Sequence, residues 1–299
     1  MSARTTPVLR HPPPSPVTAP RSVLGDLREV FADIVEYREL LVELTRRDLR
    51  IRYKQAVMGL AWAVITPLIL VLSGVIVRYA FSAGQVVPRA AVAGLAVKAL
   101  GWSFFVGALG FGTTSLTANL QLVTKTYFPR ELLPLASLLT QLVDLGVGAA
   151  VLAVALPLAG VGAWSGLVWL PLLVLLLVVL TTAACLLASC ANVFFRDAKY
   201  IVQLATSFGV FFTPVFFNLD MWGERGARLL VLNPVAPVLE GARLALVDGH
   251  DLRVAIVSAS GALQWSPWYL VYAAAFAALS AVLSAVLFHR AESRFAELV

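Results

Sequence analysis

The sequence predicts an all-α integral membrane protein with six transmembrane helices, an N-terminal amphipathic interface helix and short re-entrant helices between spans five and six. Of the 299 residues, 60% are hydrophobic and 13% are charged, and the mean hydropathy is +0.85. Soluble domains carry about 25% charged residues. Six apolar runs approach the ~20 residues that a ~30 Å hydrocarbon core requires. An amphipathic segment precedes the first run, and together these observations argue against a soluble α/β fold.

The chain begins with a polar segment and then an amphipathic one. Residues 1–22 are rich in proline, which disrupts regular helix, and lack the apolar core of a signal peptide. We therefore expect a disordered cytoplasmic tail. Residues 23–56 combine an amphipathic helix, predicted over 24–45, with a basic junction. Such a helix lies along the cytoplasmic membrane surface or packs on a soluble partner.

The segment 57–299 forms the predicted six-span transmembrane domain. The spans are placed at 58–81, 91–115, 132–158, 166–190, 200–218 and 267–288. Sixteen of the 23 Lys and Arg residues then lie on the side of the N-terminus, so both termini are expected in the cytoplasm. The outer connection at about 219–266 has short apolar stretches broken by Pro234, Pro237 and Gly241. These stretches can dip into the membrane as re-entrant or interfacial helices without crossing it.

Charge and motif content argue against several kinds of function. The net charge is +6, but the basic residues cluster beside apolar segments, which is typical of membrane anchoring rather than of nucleic-acid binding. The sequence has no GxxxxGK[ST] phosphate loop and no recognisable metal-ligand motif, so no cofactor or metal is expected in this chain. We expect Cys185 and Cys190 to be small packing residues. A membrane chain without a nucleotide site takes its energy from a partner.

Few side chains within the spans carry chemistry. Asp144 lies deep in the third span and is either a structural hydrogen-bonding partner or a contact for substrate or ion. Aromatic rings that face the bundle interior can stack on sugars, although most intramembrane aromatics pack internally or face lipid. The candidate channel aromatics are Trp62, Trp102, Phe104, Phe105, Phe211 and Phe212.

Two predicted inner loops repeat one pattern, in which aromatic residues precede a basic and an acidic residue. The segments 127–131 and 194–197 both show it. Such loops present an aromatic side chain and charges to a cytoplasmic partner, or they are ordinary loops with belt aromatics and inside-positive charge.

Several motifs follow one another in a specific order over residues 40–299. They are RDLRIRYKQ at 47–55, GL at 59–60 with Trp62 and Pro67, WSFF at 102–105, KTYFPRELLPL at 125–135, NVFFRD at 192–197, NPVAP at 233–237 and FAE at 295–297. In this order they resemble the ABC-2 type permeases that export polysaccharides, such as the O-antigen and teichoic acid exporters. Each motif is weak alone, whereas the ordered set is specific.

This resemblance implies a homodimer in the bacterial cytoplasmic membrane, joined to two separate ATPase subunits that bind ATP and Mg. It implies a glycan substrate carried on a polyprenyl pyrophosphate, a coupling helix at 119–131 and outer gate helices at 219–266. The ATPase-coupling residues that it indicates are Lys125, Tyr127, Phe128, Pro129, Arg130, Glu131, Phe195, Arg196 and Asp197.

The basic cluster before the first span has two interpretations. It anchors the chain by charge, or its guanidinium groups receive the pyrophosphate of the lipid carrier at the inner mouth of the channel. The residues are Arg47, Arg50, Arg52 and Lys54. The chain departs from the family pattern in its proline-rich start and in Lys98, which either snorkels outward or contacts a passing glycan.

Three other functions compete with polysaccharide export. An ABC-2 permease for a drug or a simple lipid would share the six spans. A polyprenyl-linked membrane glycosyltransferase would need grouped acidic residues, and Glu131, Asp197 and Glu297 are scattered in the sequence. A channel or scaffold would not depend on an ATPase.

Overall fold

The computed structural model describes residues 22–54, 59–81, 85–125, 128–162, 164–257 and 263–298, so the predicted tail lies almost wholly outside the described residues. In chain order the helices are α1 (Val23–Glu36), α2 (Arg38–Tyr53), α3 (Trp62–Phe81), α4 (Arg89–Ala118), α5 (Leu120–Lys125), α6 (Leu132–Leu158), α7 (Leu170–Phe194), α8 (Ala198–Phe212), α9 (Gly223–Val231), α10 (Val235–Leu246) and α11 (Pro267–Leu298). Short 3₁₀ turns occupy Gly59–Ala61, Trp164–Trp169 and Leu219–Trp222, and β1 (Ile256–Val257) pairs antiparallel with β2 (Leu263–Trp265).

The predicted amphipathic helix is divided into α1 and α2. The Ser22 hydroxyl accepts a hydrogen bond from the Gly25 amide and caps α1, and the chain leaves helical geometry at Tyr37. α1 packs along α11 and leaves large apolar side chains such as Leu24 and Phe31 exposed, as expected of a helix at a membrane surface. α2 packs along α6 instead. The basic junction is therefore part of the helix bundle.

α4 lies at the centre of the bundle and packs against α3, α6, α7, α8 and α10. Small residues allow this close packing. A Cβ atom at Gly107 would lie 2.2 Å from the Gln141 amide nitrogen, and one at Gly112 would lie 2.9 Å from Cys185 Sγ. Cys185 is buried and free, so it serves as a packing residue between α4 and α7.

Among the residues that the structure describes, five helical segments are long and apolar enough to cross a membrane. They are Trp62–Phe81, Arg89–Ala118, Leu132–Leu158, Ser165–Phe194 and Pro267–Glu292. The predicted span at 200–218 is helical only over Ala198–Phe212, whose 15 residues measure about 22 Å at 1.5 Å per residue. The helix ends before Pro214, which cannot donate a backbone hydrogen bond to it. The chain then continues without helix to Asn218, beside Lys98 of α4.

Two ends of the bundle can be distinguished. We call the end that carries α1, α2, α5 and the last turns of α11 the α2 end, and the opposite one the α10 end. Helices α9 and α10 meet at an angle of 108°. α10 packs near the beginnings of α4 and α7, and the Tyr272 hydroxyl of α11 donates to the Leu232 carbonyl between α9 and α10. The pair therefore forms a bent hairpin at the α10 end, in the segment where re-entrant helices are predicted.

Candidate functional site

A cavity of about 580 Å³ lies between α3, α4, α6 and α8 and reaches the last residues of α2. Its apolar wall includes the rings of Trp62, Trp102, Phe104 and Phe111. Polar groups interrupt this wall, and they are supplied by Thr66, Ser73, Ser103, Gln141, Thr206 and Ser207. The cavity therefore offers both ring faces and hydrogen-bonding groups within the bundle.

The α2 end of this cavity is lined by a cluster of three polar side chains. Arg52 lies 2.6 Å from Asp144, and the Tyr53 hydroxyl donates a hydrogen bond to the other Asp144 oxygen. The Arg52 guanidinium also lies 4.2 Å from the centre of the Phe111 ring, a cation–π contact. Burial is the largest cause that raises the pKa of Tyr53 to about 12, and the hydrogen bond to Asp144 is the second. The Tyr53 hydroxyl therefore remains a donor at neutral pH. Asp144 is thus a hydrogen-bonding partner that binds α2 to α6.

A second cavity of about 440 Å³ adjoins the first, since Arg52 and Phe111 line both. Arg47 also lines the second cavity and donates to Asp48 and to the Asn119 side chain. Arg50 and Lys54 are exposed on the outside of α2. The structure therefore brings two of the four predicted phosphate-contacting residues together at the cavities, and each of these two already has an acidic partner.

The predicted channel aromatics divide into two groups. Trp62, Trp102 and Phe104 line the large cavity. Phe105 does not line it but stacks on Trp102 with ring centres 5.5 Å apart. The remaining two, Phe211 and Phe212, do not line it either and leave their rings exposed, with Phe211 also packed edge-on against Phe216. The difference arises because α8 turns its last residues outward, which the sequence pattern does not show.

The predicted coupling loop is partly internal. Phe128 is buried among apolar side chains that include Phe288 and Phe295 of α11. Arg130 donates hydrogen bonds to the carbonyl oxygens of Val123 and Glu292, and Pro129 is buried. Because this connection supports the last turns of α11, the Phe128 ring faces inward and is not presented to a partner as the sequence suggested. Lys125 ends α5, and Tyr127 lies outside the described residues.

The second loop of the same pattern is exposed. Phe195 is 72% exposed, and Arg196 and Asp197 are exposed beside it. Phe194 packs edge-on against Phe295, with ring centres 6.0 Å apart. The connection between α7 and α8 therefore presents one aromatic ring and two charges at the α2 end.

Charged groups at the α2 end join α1, α6 and α11. His289 of α11 lies between Glu29 of α1 and the buried Glu131, at 3.1 Å and 3.4 Å. Burial is the largest cause that raises the pKa of Asp33 on α1, and the nearby negative charge of Glu131 is the second. Sequence spacing does not join His289 to Glu131, because the two are 158 residues apart.

A second charged network fixes the bent α9–α10 hairpin at the α10 end. The Lys98 ammonium is fully buried, lies 3.3 Å from Glu240 of α10 and donates to Phe217 O and Asn218 Oδ1. Glu240 also accepts from Arg243 at 2.7 Å. The expectation that Lys98 snorkels outward or contacts a glycan is wrong, because α10 supplies an internal carboxylate that sequence spacing does not reveal.

Comparison with known proteins points to one family. The family model described as ABC-2 type transporter matches residues 39–247, which run from α2 to the residue after α10. The O-antigen export system permease protein RfbA of Klebsiella pneumoniae is 28% identical over 216 residues, 71% of this chain and 81% of that protein. A second Klebsiella pneumoniae protein of that name is 25% identical over 87% of this chain and 95% of its own length. The Myxococcus xanthus RfbA is 27% identical over 78% of this chain and 92% of that protein. The matched region includes every residue of the large cavity.

Proposed function

Because this chain belongs to the ABC-2 type transporter family, we propose that it is the transmembrane subunit of an ATP-driven exporter of a polysaccharide or glycopolymer. The substrate is carried on a polyprenyl pyrophosphate and moves from the cytoplasmic to the outer face of a bacterial cytoplasmic membrane. The three relatives are named as permeases of O-antigen export, and this supports a polysaccharide substrate.

The observation that carries this proposal is the large cavity and its charged end. A surface that binds sugars needs apolar ring faces together with hydrogen-bonding groups. On the cavity wall Trp102 supplies a ring face, and Gln141 and Thr206 supply hydrogen-bonding groups. A pyrophosphate needs guanidinium donors. Arg52 provides them where the cavity meets α2. A volume of about 580 Å³ falls within the usual range of ligand sites, so one chain accommodates a short piece of a glycan at a time.

Two copies of the ATPase subunit are proposed to bind at the α2 end. The exposed Phe195, Arg196 and Asp197 support this placement, together with the short helix α5 and Lys125 at its end. This end is then cytoplasmic, in agreement with the excess of Lys and Arg on the same side. Both termini would be cytoplasmic. ATP and Mg belong to the partner, and no nucleic acid is involved.

The chain is also proposed to form a homodimer. α3 and α8 border the cavity and leave apolar side chains exposed, among them Ile69, Leu72 and Phe208. Lipid alone would leave the hydroxyl and amide groups of the cavity beside hydrocarbon, which is unfavourable. A second copy that covers this side would enclose a channel between the two subunits.

Depletion of this protein tests the proposed function directly. We expect polyprenyl-linked glycan to accumulate on the cytoplasmic side while the surface polymer decreases, and the trapped species would identify the substrate. The measurement is mass spectrometry of lipid-linked glycans from right-side-out and inverted membrane vesicles. Unchanged amount and location of these glycans would instead favour a permease for a drug or a simple lipid.

A further inference from the structure

Three side chains at the α2 end form a compact cluster of metal-ligating groups. Glu131 is the residue immediately before α6, and His289 and Glu292 lie one turn apart on α11. One ligand atom from each lies within 4.8 Å of the others. The cluster is separate from the two cavities, whose linings contain none of these residues.

An unpartnered oxygen points to a missing ligand at this cluster. Glu131 is 2% exposed, and among the described residues its Oε2 has no hydrogen-bond partner. A buried carboxylate oxygen without a partner is costly because it has lost its water. A cation bound at this position would remove that cost.

The distance between His289 and Glu131 fits metal ligation better than hydrogen bonding. His289 Nδ1 and Glu131 Oε1 are 3.4 Å apart, which is long for a hydrogen bond. Two ligands of a tetrahedral ion with bonds of about 2.1 Å are separated by about 3.4 Å. The other imidazole nitrogen, Nε2, lies 3.1 Å from Glu29 Oε2. A carboxylate behind a ligating histidine is the usual way in which proteins orient that imidazole.

The charges around His289 also favour a divalent cation. Glu29, Glu131 and Glu292 place three carboxylates beside it. The Arg130 amide donates to Glu292 Oε1 at 2.9 Å, but its guanidinium contacts carbonyl oxygens. Arg290 pairs with Asp26 of α1. An ion of charge +2 would offset the two buried or half-buried ligand carboxylates.

We propose that Glu131, His289 and Glu292 bind a divalent transition-metal ion, and that zinc, which accepts both imidazole and carboxylate ligands, is one ion that the site takes. Water would take a remaining position, and the exposed Glu29 marks the path of entry. The ion would join the start of α6 to the end of α11, and Glu29 would attach α1 to the same site. This inference does not depend on the identity of the transported substrate.

The test is a zinc titration of the full-length protein in detergent micelles after removal of metal with a chelator. Isothermal titration calorimetry and thermal unfolding are measured on the wild type and on Glu131→Gln, His289→Gln and Glu292→Gln. The matched controls are His11→Gln, in the N-terminal tail, and His250→Gln, whose ring contacts Val254 O near the α10 end. We expect one zinc ion per chain in the wild type and both controls, and at least tenfold weaker binding in each cluster variant.

Zinc should also raise the unfolding midpoint of the wild type but not those of the cluster variants. Absence of stoichiometric binding in the wild type would overturn the proposal, and a protonated His289 between two carboxylates would then explain the contacts. Equal zinc affinity in the wild type and in Glu131→Gln or Glu292→Gln would also overturn it, as would loss of binding only in a control. If one cluster variant does not fold, the remaining folded variants decide the result.

Discussion

At the scale of single residues, Arg52 differs from Arg46 and Arg47, whose acidic partners lie on α2 itself, because its own partner Asp144 lies on α6 and lines the large cavity. Its side chain and that of Asp144 are 22% and 16% exposed, and they form an ion pair at the junction of two cavities. A guanidinium has five N–H donors, so it can exchange one carboxylate partner for a phosphate oxygen without losing hydrogen bonds. A pyrophosphate that enters from the α2 end would compete with Asp144 for Arg52.

This competition predicts different effects of two similar substitutions. Arg52→Gln should reduce polymer export at least tenfold, because the cavity loses its guanidinium. Arg50→Gln should change export less than twofold, because Arg50 is exposed outside the cavities. Export is measured as surface polymer in depleted cells complemented with each variant, with the membrane level of each protein checked by immunoblotting.

A double variant separates substrate contact from stability. Arg52→Gln alone leaves Asp144 without its ionic partner, which should lower the free energy of unfolding by about 1–3 kcal/mol. Adding Asp144→Asn should restore much of that stability, because it removes the unpaired carboxylate. It should not restore export, because the cavity still lacks the Arg52 guanidinium. Equal export defects in Arg50→Gln and Arg52→Gln would show that α2 anchors by charge alone, and restored export in the double variant would rule out the pyrophosphate contact.

At the scale of elements, two connections with the same sequence pattern have opposite environments. The connection after α5 buries Phe128 beneath α11, whereas the connection after α7 exposes Phe195. An aromatic ring that is exposed in one chain can be covered by a partner chain. The α7–α8 connection is therefore the better candidate for ATPase contact.

The two rings predict separable effects. Phe195→Ala with Arg196→Ala should decrease co-purification of the ATPase at least fivefold without a change in the unfolding midpoint of the isolated permease, because few internal contacts are lost. Phe128→Ala should lower the free energy of unfolding by about 3–5 kcal/mol, because it leaves a cavity in the core at the α2 end. Pull-down from membranes and thermal unfolding in detergent measure the two quantities. Normal ATPase binding in the Phe195 and Arg196 variant would exclude this loop as the coupling surface.

The helices themselves were largely predictable because apolar runs of about 20 residues have few alternatives in a membrane. Five of the six predicted spans form helices of sufficient length, and the α9–α10 hairpin bends just before α10, where Pro234 interrupts the apolar pattern, whereas Gly241 lies inside α10. The exception is α8, whose run of apolar residues continues beyond Phe212 although its helix does not. Hydropathy reports on the environment of a segment and not on where its backbone leaves the helix.

The candidate sites were less predictable because each depends on residues far apart in the chain. Arg52 and Asp144 were each identified from the sequence, but their pairing requires α2 to pack along α6. The same holds for Lys98 with Glu240, and for Glu131 with His289. Sequence spacing supplies the residue types, whereas tertiary packing decides which of them meet.

At the scale of the whole molecule, one chain leaves the cavity of about 580 Å³ incompletely covered. α3 is little buried along its length, and with α8 it exposes apolar side chains on the side where the cavity approaches the surface. Thr66 and Ser73 of α3 line this cavity. The Ser73 hydroxyl donates to the Ile69 carbonyl within α3, but hydrocarbon offers no further hydrogen-bond partner to either hydroxyl group. A second copy can satisfy both, so we expect the contact of the proposed homodimer to lie at α3 and α8.

Cysteine cross-linking in native membranes tests this arrangement, in a background in which Cys185 and Cys190 are replaced by alanine. Single cysteines at Leu68, Ile69, Leu72 and Ile76 of α3 should include at least one position that forms a disulfide-linked dimer in most of the protein, because residues near a two-fold axis meet their own copies. The control is Leu279→Cys on α11, which is similarly exposed but lies on a different helix and should remain monomeric.

Cross-linking at Leu279 without cross-linking on α3 would move the interface to α11. A monomeric mass after mild solubilisation, with no cross-link at any position, would contradict a homodimer, and the hydroxyl groups of α3 would then require another polar covering.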